Sequence, residues 1–384
     1  MVIREQTADD YAEVQRLRKV AFSSVSEDEP PIEPGVRGLV AEIDGRIAGV
    51  LGIGEYAQFF GGRAVPMGGV GGVAVDPYAR GRGVASGLLD AALRDMREHG
   101  QSLSVLYATV PELYRTRGYE RAGVYEFTRL PIDRLLAAPK PANRLVAQPA
   151  TPDMLKALHE CYLGLARTVN GMLDRRPPRI DLSKVLGLDV VSVLPGADGE
   201  LRGYLTAMRL PNSALKVFDV VGTDADAQLS LLAELKSWQG TIENLEVRIT
   251  DPALLALFTS QQMRHEVSTW LWMLRVVDLP AAIAARGWPT HLRDFVVDID
   301  VTDDTAPWNA GRHRIVSRNG EIRCEPGGSG AVRMHARALG PWYSGMYDTH
   351  ALRRANLLDA DPADAAGLDQ LVGTPGVPRL ADFF

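Results

Sequence analysis

The sequence predicts an α+β protein of several domains, with a mixed sheet flanked by helices. Strand-like and helix-like segments alternate through the first third of the chain. A stretch rich in proline and alanine, Leu136-Ala137-Ala138-Pro139-Lys140-Pro141-Ala142, then interrupts the pattern. The 384 residues also exceed what one ordinary core accommodates, which is roughly 250–300 residues.

Taken in order, Val2, Ile3 and Arg4 read as a short strand. Thr7 stands where it would cap a helix over 8–22, whose Tyr11, Val14, Leu17 and Val20 recur at helical spacing. A polar loop over 23–34 carries Glu27, Asp28 and Glu29. A hairpin follows, with strands at 39–43 and 47–54 around an Asp44-Gly45 turn. The next strand ends in Val70-Gly71-Gly72-Val73-Ala74-Val75 and is stopped by Asp76-Pro77. An amphipathic helix over 83–99 aligns Val84, Leu88, Leu89, Ala92, Leu93 and Met96, and Gly100 ends it. A strand at 104–108, a short helix at 113–117 closed by Gly118 and a strand at 124–128 complete the first region.

The middle region, about 145–278, shows strands at 190–193, 203–209, 214–221, 245–249 and 270–276. The last region begins near Asp278 with a helix at 280–286 and strands at 294–301 and 311–317. It finishes in a polar, proline-containing tail, Pro378-Arg379-Leu380-Ala381-Asp382-Phe383-Phe384.

Composition narrows the function. Hydrophobic residues make up 46% and charged residues 23%, a soluble globular profile. A net charge of -6 argues against a nucleic-acid partner, which needs a basic face. It suits a cationic small molecule instead. Cys161 and Cys324 are far apart and form no CxxC, so neither a disulfide framework nor a metal site is expected. With no run of about 18 apolar residues and no apolar core in MVIREQTADD, a cytoplasmic protein with no membrane contact is expected.

The informative stretch is Arg80-Gly81-Arg82-Gly83-Val84-Ala85, between a strand and an amphipathic helix. A pyrophosphate needs several converging donors. Glycines let backbone N–H groups approach it, the helix start adds free N–H groups and a positive dipole end, and arginines add charge-assisted bonds. The turn has no GK[ST] and lacks the G-x-G-x-x-G spacing, so neither a P-loop nor a dinucleotide fingerprint applies. It fits R-x-x-G-x-G/A through Arg80, Gly83 and Ala85. The middle region lacks a second turn of this kind.

This pattern resembles the GNAT acetyltransferase superfamily. The resemblance implies acetyl-CoA as co-substrate, with no metal. It places the pantetheine arm along Val73, Ala74 and Val75, and the pyrophosphate on Gly81, Arg82, Gly83, Val84, Ala85 and Ser86. A second motif of the family is met by Leu113-Tyr114-Arg115-Thr116-Arg117-Gly118-Tyr119. There Tyr114 is the candidate acid for the departing thiolate, since tyrosine near ~10 and a thiol near ~8.5 are close in pKa. Outside that motif Tyr114 would read as a core tyrosine, as Tyr119 does. The Val75 N–H is placed to polarise the thioester carbonyl, and Thr109 and Val110 to line the donor groove.

The whole layout resembles the Eis family of actinobacterial aminoglycoside N-acetyltransferases. The supporting residues are Trp270-Leu271-Trp272-Met273-Leu274-Arg275-Val276-Val277-Asp278-Leu279-Pro280 and the terminal Asp382-Phe383-Phe384. The resemblance implies a catalytic GNAT domain over 1–139, a second GNAT-like domain without a donor site over 140–278, and a sterol-carrier-like domain over 279–384. It makes the α-carboxylate of Phe384 the proton acceptor. It further implies a primary amine of a polyamine or aminoglycoside-like acceptor and a homohexamer. Asp382 and the 27–29 acids would supply negative charge, with Phe22 at the entrance. No histidine falls in the donor motif, and His350 is a minor candidate base. Acetylation of protein lysines or N-termini, and lipid binding without catalysis, are the competing readings.

Overall fold

A computed structural model describes residues 1–22, 33–251, 254, 266–373 and 376–384. β1 (Val2–Glu5) leads through one 3-10 turn into α1 (Tyr11–Phe22). Thr7 opens that turn in a capping box, its backbone N–H donating to the Asp10 carboxylate at 2.7 Å. β2 (Val36–Ile43) and β3 (Arg46–Phe60) are joined at Asp44 and Gly45, with φ of 53° and 74°, the turn whose twist matches antiparallel strands. Then come β4 (Arg63–Val75), α2 (Val84–Glu98), β5 (Leu103–Tyr107), α3 (Pro111–Arg115) and β6 (Glu120–Pro131). The six α2 residues that share a face in the sequence are all buried there, in one cluster with Leu39, Leu51 and Ile53 of the sheet. Each large apolar side chain so enclosed contributes about 1.5–3 kcal/mol.

The middle of the chain adds β7 (Gln148–Pro149), α4 (Leu155–Ala166), β8 (Val190–Pro195), β9 (Leu201–Leu210), β10 (Ala214–Gly222), α5 (Ala225–Lys236), β11 (Asn244–Val247) and β12 (Glu266–Val276). All twelve strands form one sheet, ordered β1-β2-β3-β4-β5-β12-β6-β11-β10-β9-β8-β7. The strand expected at 270–276 in the middle region therefore pairs between β5 and β6, antiparallel to both. β6 joins the two halves, with β12 on one side and β11 on the other. The halves repeat a plan: three antiparallel strands, a helix, then a parallel strand, as β2-β3-β4-α2-β5 and β8-β9-β10-α5-β11.

The last part contains α6 (Leu279–Ala285), β13 (Phe295–Thr302), β14 (Gly311–Arg318), β15 (Glu321–Pro326), β16 (Val332–His335), α7 (Ala336–Ser344), α8 (Thr349–Arg354), β17 (Leu358–Asp359) and α9 (Pro362–Val372). Its five strands are ordered β15-β14-β13-β16-β17. α7 fills the space between this sheet and the large one, with Trp342 and Tyr343 fully enclosed. No helix among the described residues is long and apolar enough to cross a membrane.

Two sequence expectations were too modest. β3 outruns the 47–54 strand because residues 48–54 are buried without interruption, which erases the alternation that marks a half-exposed strand. The polar-looking last region hides α9, which buries Ala365, Leu368, Leu371 and Val372.

Beyond α9 the chain returns to the large sheet. The Val124 N–H donates to the Pro378 carbonyl at 2.9 Å and the Leu380 N–H to the Val124 carbonyl at 2.9 Å. The Arg379 N–H donates to the Asn170 carbonyl at 2.8 Å, so the tail runs between β6 and the segment after α4.

Candidate active site

β4 and β5 pair in parallel only at Met67–Leu103, Gly68–Ser104 and Gly69–Val105. Past Gly69 the register of β4 against β3 slips by one residue between Gly52–Gly71 and Val50–Ala74. An extra residue of this kind bends and twists its strand. Val70–Val75 therefore leave β5, and a wedge opens between the two strands. Val73 and Val75 are half-buried along it, while Ala74 is buried on the other face. Thr109 and Val110, just after β5, are exposed at its mouth.

The turn after β4 is open. Gly81 and Gly83 have φ of 75° and 78°, and a Cβ built on either meets no atom within 4 Å. Positive φ costs glycine nothing and most other residues a strained conformation. Arg80, Gly81, Arg82 and Gly83 are all exposed, Val84 is buried, and Ala85 and Ser86 are half-buried. No side chain caps α2. Its first N–H groups and positive dipole end thus face open space flanked by two guanidiniums, an arrangement that suits a diphosphate.

Tyr114 lies on α3, buried, its ring edge-on to Tyr119 at 6.1 Å. It belongs to the apolar cluster that contains Val70, with Val73 and Ala108 packed against it, so it sits among the residues that wall the wedge. Burial raises its hydroxyl above the ordinary tyrosine range, which keeps the proton in place at neutral pH. Tyr119 is fully buried and hydrogen-bonded to the Ser104 hydroxyl at 2.7 Å, which marks it as a packing residue.

The chain end reaches this wedge. The carboxyl carbon of Phe384 lies 4.0 Å from where a Cβ on Gly71 would be, at the bulge of β4. Its ring packs on Tyr56 at 4.8 Å, and a Cβ on Gly69 would come within 2.7 Å of both rings. Phe383 stacks on Tyr107 at 4.3 Å. A cavity of about 250 Å³ opens beside the terminal carboxylate, bounded by Phe22, Tyr56, Glu33, Arg18 and Arg179. Arg179 donates to the Tyr56 hydroxyl at 2.9 Å and to Glu33 at 2.7 Å.

Among the described residues the charged side chains that line the cavity are two arginines and one glutamate. Asp382 does not line it, and its carboxylate is held by Arg175 at 3.0 Å. The 27–29 acids lie outside the described residues. His350 is exposed on α8, within the last domain. Tyr56, Tyr107, Arg175 and Arg179 are the residues that sequence reasoning missed. None belongs to a motif, and each acquires its place only when distant segments fold together.

Residues 2–122 match the acetyltransferase (GNAT) domain family, and residues 279–381 the sterol carrier protein domain family. The chain thus has a GNAT fold, a mixed sheet flanked by helices, with a sterol-carrier-like C-terminal domain, and it is an N-acetyltransferase of GNAT type. It is similar to N-acetyltransferase Eis of Mycobacterium tuberculosis, 27% identical over 319 residues, 77% of this chain and 74% of that protein. It is 29% identical over 308 residues to an uncharacterized N-acetyltransferase of Streptomyces coelicolor, 74% of this chain and 73% of that one. Among solved structures, a GCN5-related N-acetyltransferase from Anabaena variabilis matches at a TM-score of 0.86 and 24% identity, covering 100% of each chain. Eis1 from Mycobacterium abscessus matches at 0.77 and 22%, also over 100% of each. The chain is thus similar to an Eis N-acetyltransferase over 77% of its length.

Proposed function

We propose that the protein moves the acetyl group of acetyl-CoA to a primary amine of a small polyamine or aminoglycoside-like acceptor, with Tyr114 as proton donor and the Phe384 carboxylate as proton acceptor. One observation carries this reading: the C-terminal carboxylate faces Gly71, where the wedge leading to the open start of α2 begins.

In this scheme Gly81, Gly83 and the start of α2 hold the diphosphate, aided by Arg80 and Arg82, and the Val73–Val75 edge holds the pantetheine arm. The Val75 N–H polarises the thioester carbonyl. The Phe384 carboxylate takes a proton from the acceptor ammonium. The freed amine attacks the carbonyl carbon, its nitrogen gives up a second proton to solvent, the carbon–sulfur bond breaks, and the Tyr114 proton passes to sulfur. Solvent returns the proton from Phe384 to Tyr114. A terminal carboxyl near ~3.5 is a weak base in water. Water excluded when acceptor and acetyl-CoA fill the site would strengthen it.

Among the described residues, Glu33 and the terminal carboxylate are the anionic groups at the cavity, and the resemblance to Eis supplies the acceptor class. Arg18 and Arg179 share that space, which favours acceptors whose other charges lie outside it. A lipid carrier is disfavoured because α7 packs the space between the last domain's sheet and the large one. Protein amines fit a cavity of this size less well than small ones.

Acetyl-CoA consumption measured against a panel of polyamines, aminoglycosides and lysine peptides tests the proposal. We expect turnover with the small amines. No turnover with any amine, together with no acetyl-CoA binding, would eliminate it. Residues appended after Phe384 should abolish turnover while sparing acetyl-CoA binding, and full activity in that fusion would remove Phe384 from the mechanism.

A further inference from the structure

We infer that Arg175, in the middle of the chain, fixes the position of the C-terminal carboxylate by holding Asp382. Its value to catalysis rests on the proposed role of Phe384, whereas the seating itself stands on geometry.

Arg175 is almost enclosed. Its Nε donates to both Asp382 carboxylate oxygens at 3.0 and 3.2 Å. Its Nη1 and Nη2 donate to Asp219 at 2.7 and 3.3 Å, and its guanidinium lies 4.0 Å over the Tyr162 ring. Arg248 holds Asp219 from the other side at 2.9 Å, and the Tyr204 hydroxyl donates to it at 3.2 Å. Asp219 is thereby anchored, and it anchors Arg175. Two guanidiniums face two carboxylates, so the cluster is neutral only while Asp382 belongs to it. Without Asp382 the buried cluster would carry one excess guanidinium charge, which is disfavoured, and this draws the tail into place.

The ring contacts of Phe383 and Phe384 add apolar packing, while the backbone contacts of the tail are less selective. Its backbone bonds to Val124 and Asn170 would form with any side chains. The Tyr107 hydroxyl donates to the Asp382 carbonyl at 2.8 Å, which every residue would offer. Arg379 pairs with Glu126 at 2.8 Å nearer the start of the tail, and Asp382 is the tail's charged side chain closest to the end. With consecutive Cα atoms about 3.8 Å apart, a tail loosened at Asp382 could carry its carboxylate about 7 Å from Gly71. Arg175 is therefore a positioning residue. It touches neither Phe384 nor the cavity.

Carboxypeptidase A, which removes accessible C-terminal aromatic residues, gives a readout independent of activity. Applied to the full-length protein and followed by intact mass, it should release Phe384 roughly tenfold faster from Asp382→Asn than from the unaltered protein, the expected effect of losing one charge-assisted pair. Arg175→Gln should do the same. Turnover of Asp382→Asn should fall about tenfold, with the acetyl-CoA KM within about twofold, which also confirms a folded donor site. Unchanged release from Asp382→Asn overturns the inference, whatever the turnover. Faster release with undiminished turnover upholds the seating role and removes Phe384 as the base.

Discussion

β4 and β10 each carry one extra residue opposite an antiparallel neighbour, lead into a helix, and pair with the following parallel strand only before that extra residue. The first pair stays open beyond it. The second is closed by the protein itself. Arg248, just past β11, donates its backbone N–H to the Val217 carbonyl at 2.9 Å and its Nε to the Phe218 carbonyl at 2.8 Å. At the helix starts the contrast repeats. Asp224 caps α5, accepting from the Ala227 N–H at 2.9 Å, and is ion-paired with Arg202, whereas Gly83 leaves α2 uncapped. Splayed strands and a helix dipole are thus insufficient to make an anion site. What decides is whether the chain supplies the anion or leaves the place to a ligand.

The contrast can be broken from either side. Gly83→Asp would move the plug of α5 to α2. Like charge against the diphosphate, added to a strained φ, should weaken acetyl-CoA binding several hundredfold, about 3.5 kcal/mol by calorimetry. In the closed half, burial pushes the Asp219 carboxyl up, but Arg175 and Arg248 outweigh it and hold the group well below the ordinary carboxylate range. That stability is complete above the unfolded pKa of about 3.9 and disappears as pH falls below it. Asp219→Asn should therefore cost roughly 3 kcal/mol at pH 7 in urea unfolding, with the two proteins converging in acid. Tyr114→Phe keeps the shape of the wedge but removes the hydroxyl proposed as the acid, so turnover should drop about a hundredfold while acetyl-CoA affinity holds within about twofold. Gly69→Ala intrudes on the Phe384 and Tyr56 rings and should slow turnover about tenfold in steady-state assays, the scale of an overpacked contact. Asp224→Ala removes only a cap. About 1 kcal/mol of stability should be lost in thermal unfolding, with no second acetyl-CoA equivalent bound, because Arg248 still fills the gap.

Local features were legible where a short segment carries its own reason. The Thr7 cap, the Asp44-Gly45 turn, the apolar face of α2 and the glycine–arginine turn each depend on neighbours a few residues away. β12 was legible as a strand but not as a partner of β5 and β6, because strand pairing leaves no mark in the sequence of one strand. The tail showed its aromatics and its acid, yet Asp382 read as pocket charge. Only its meeting with Arg175, 207 positions away in the chain, assigns it to an anchor.

By itself the sequence determined the α+β alternation, the turn that leaves the start of α2 open, and the pair of aromatics that ends the chain. These follow from backbone freedom, periodicity and side-chain chemistry within a few residues. Tertiary structure alone decided which of two similar splays stays open, and where the last carboxylate comes to rest. Both outcomes depend on long-range electrostatic pairing, since a buried arginine must find carboxylates, and those it finds are fixed by the packing of segments far apart in the chain.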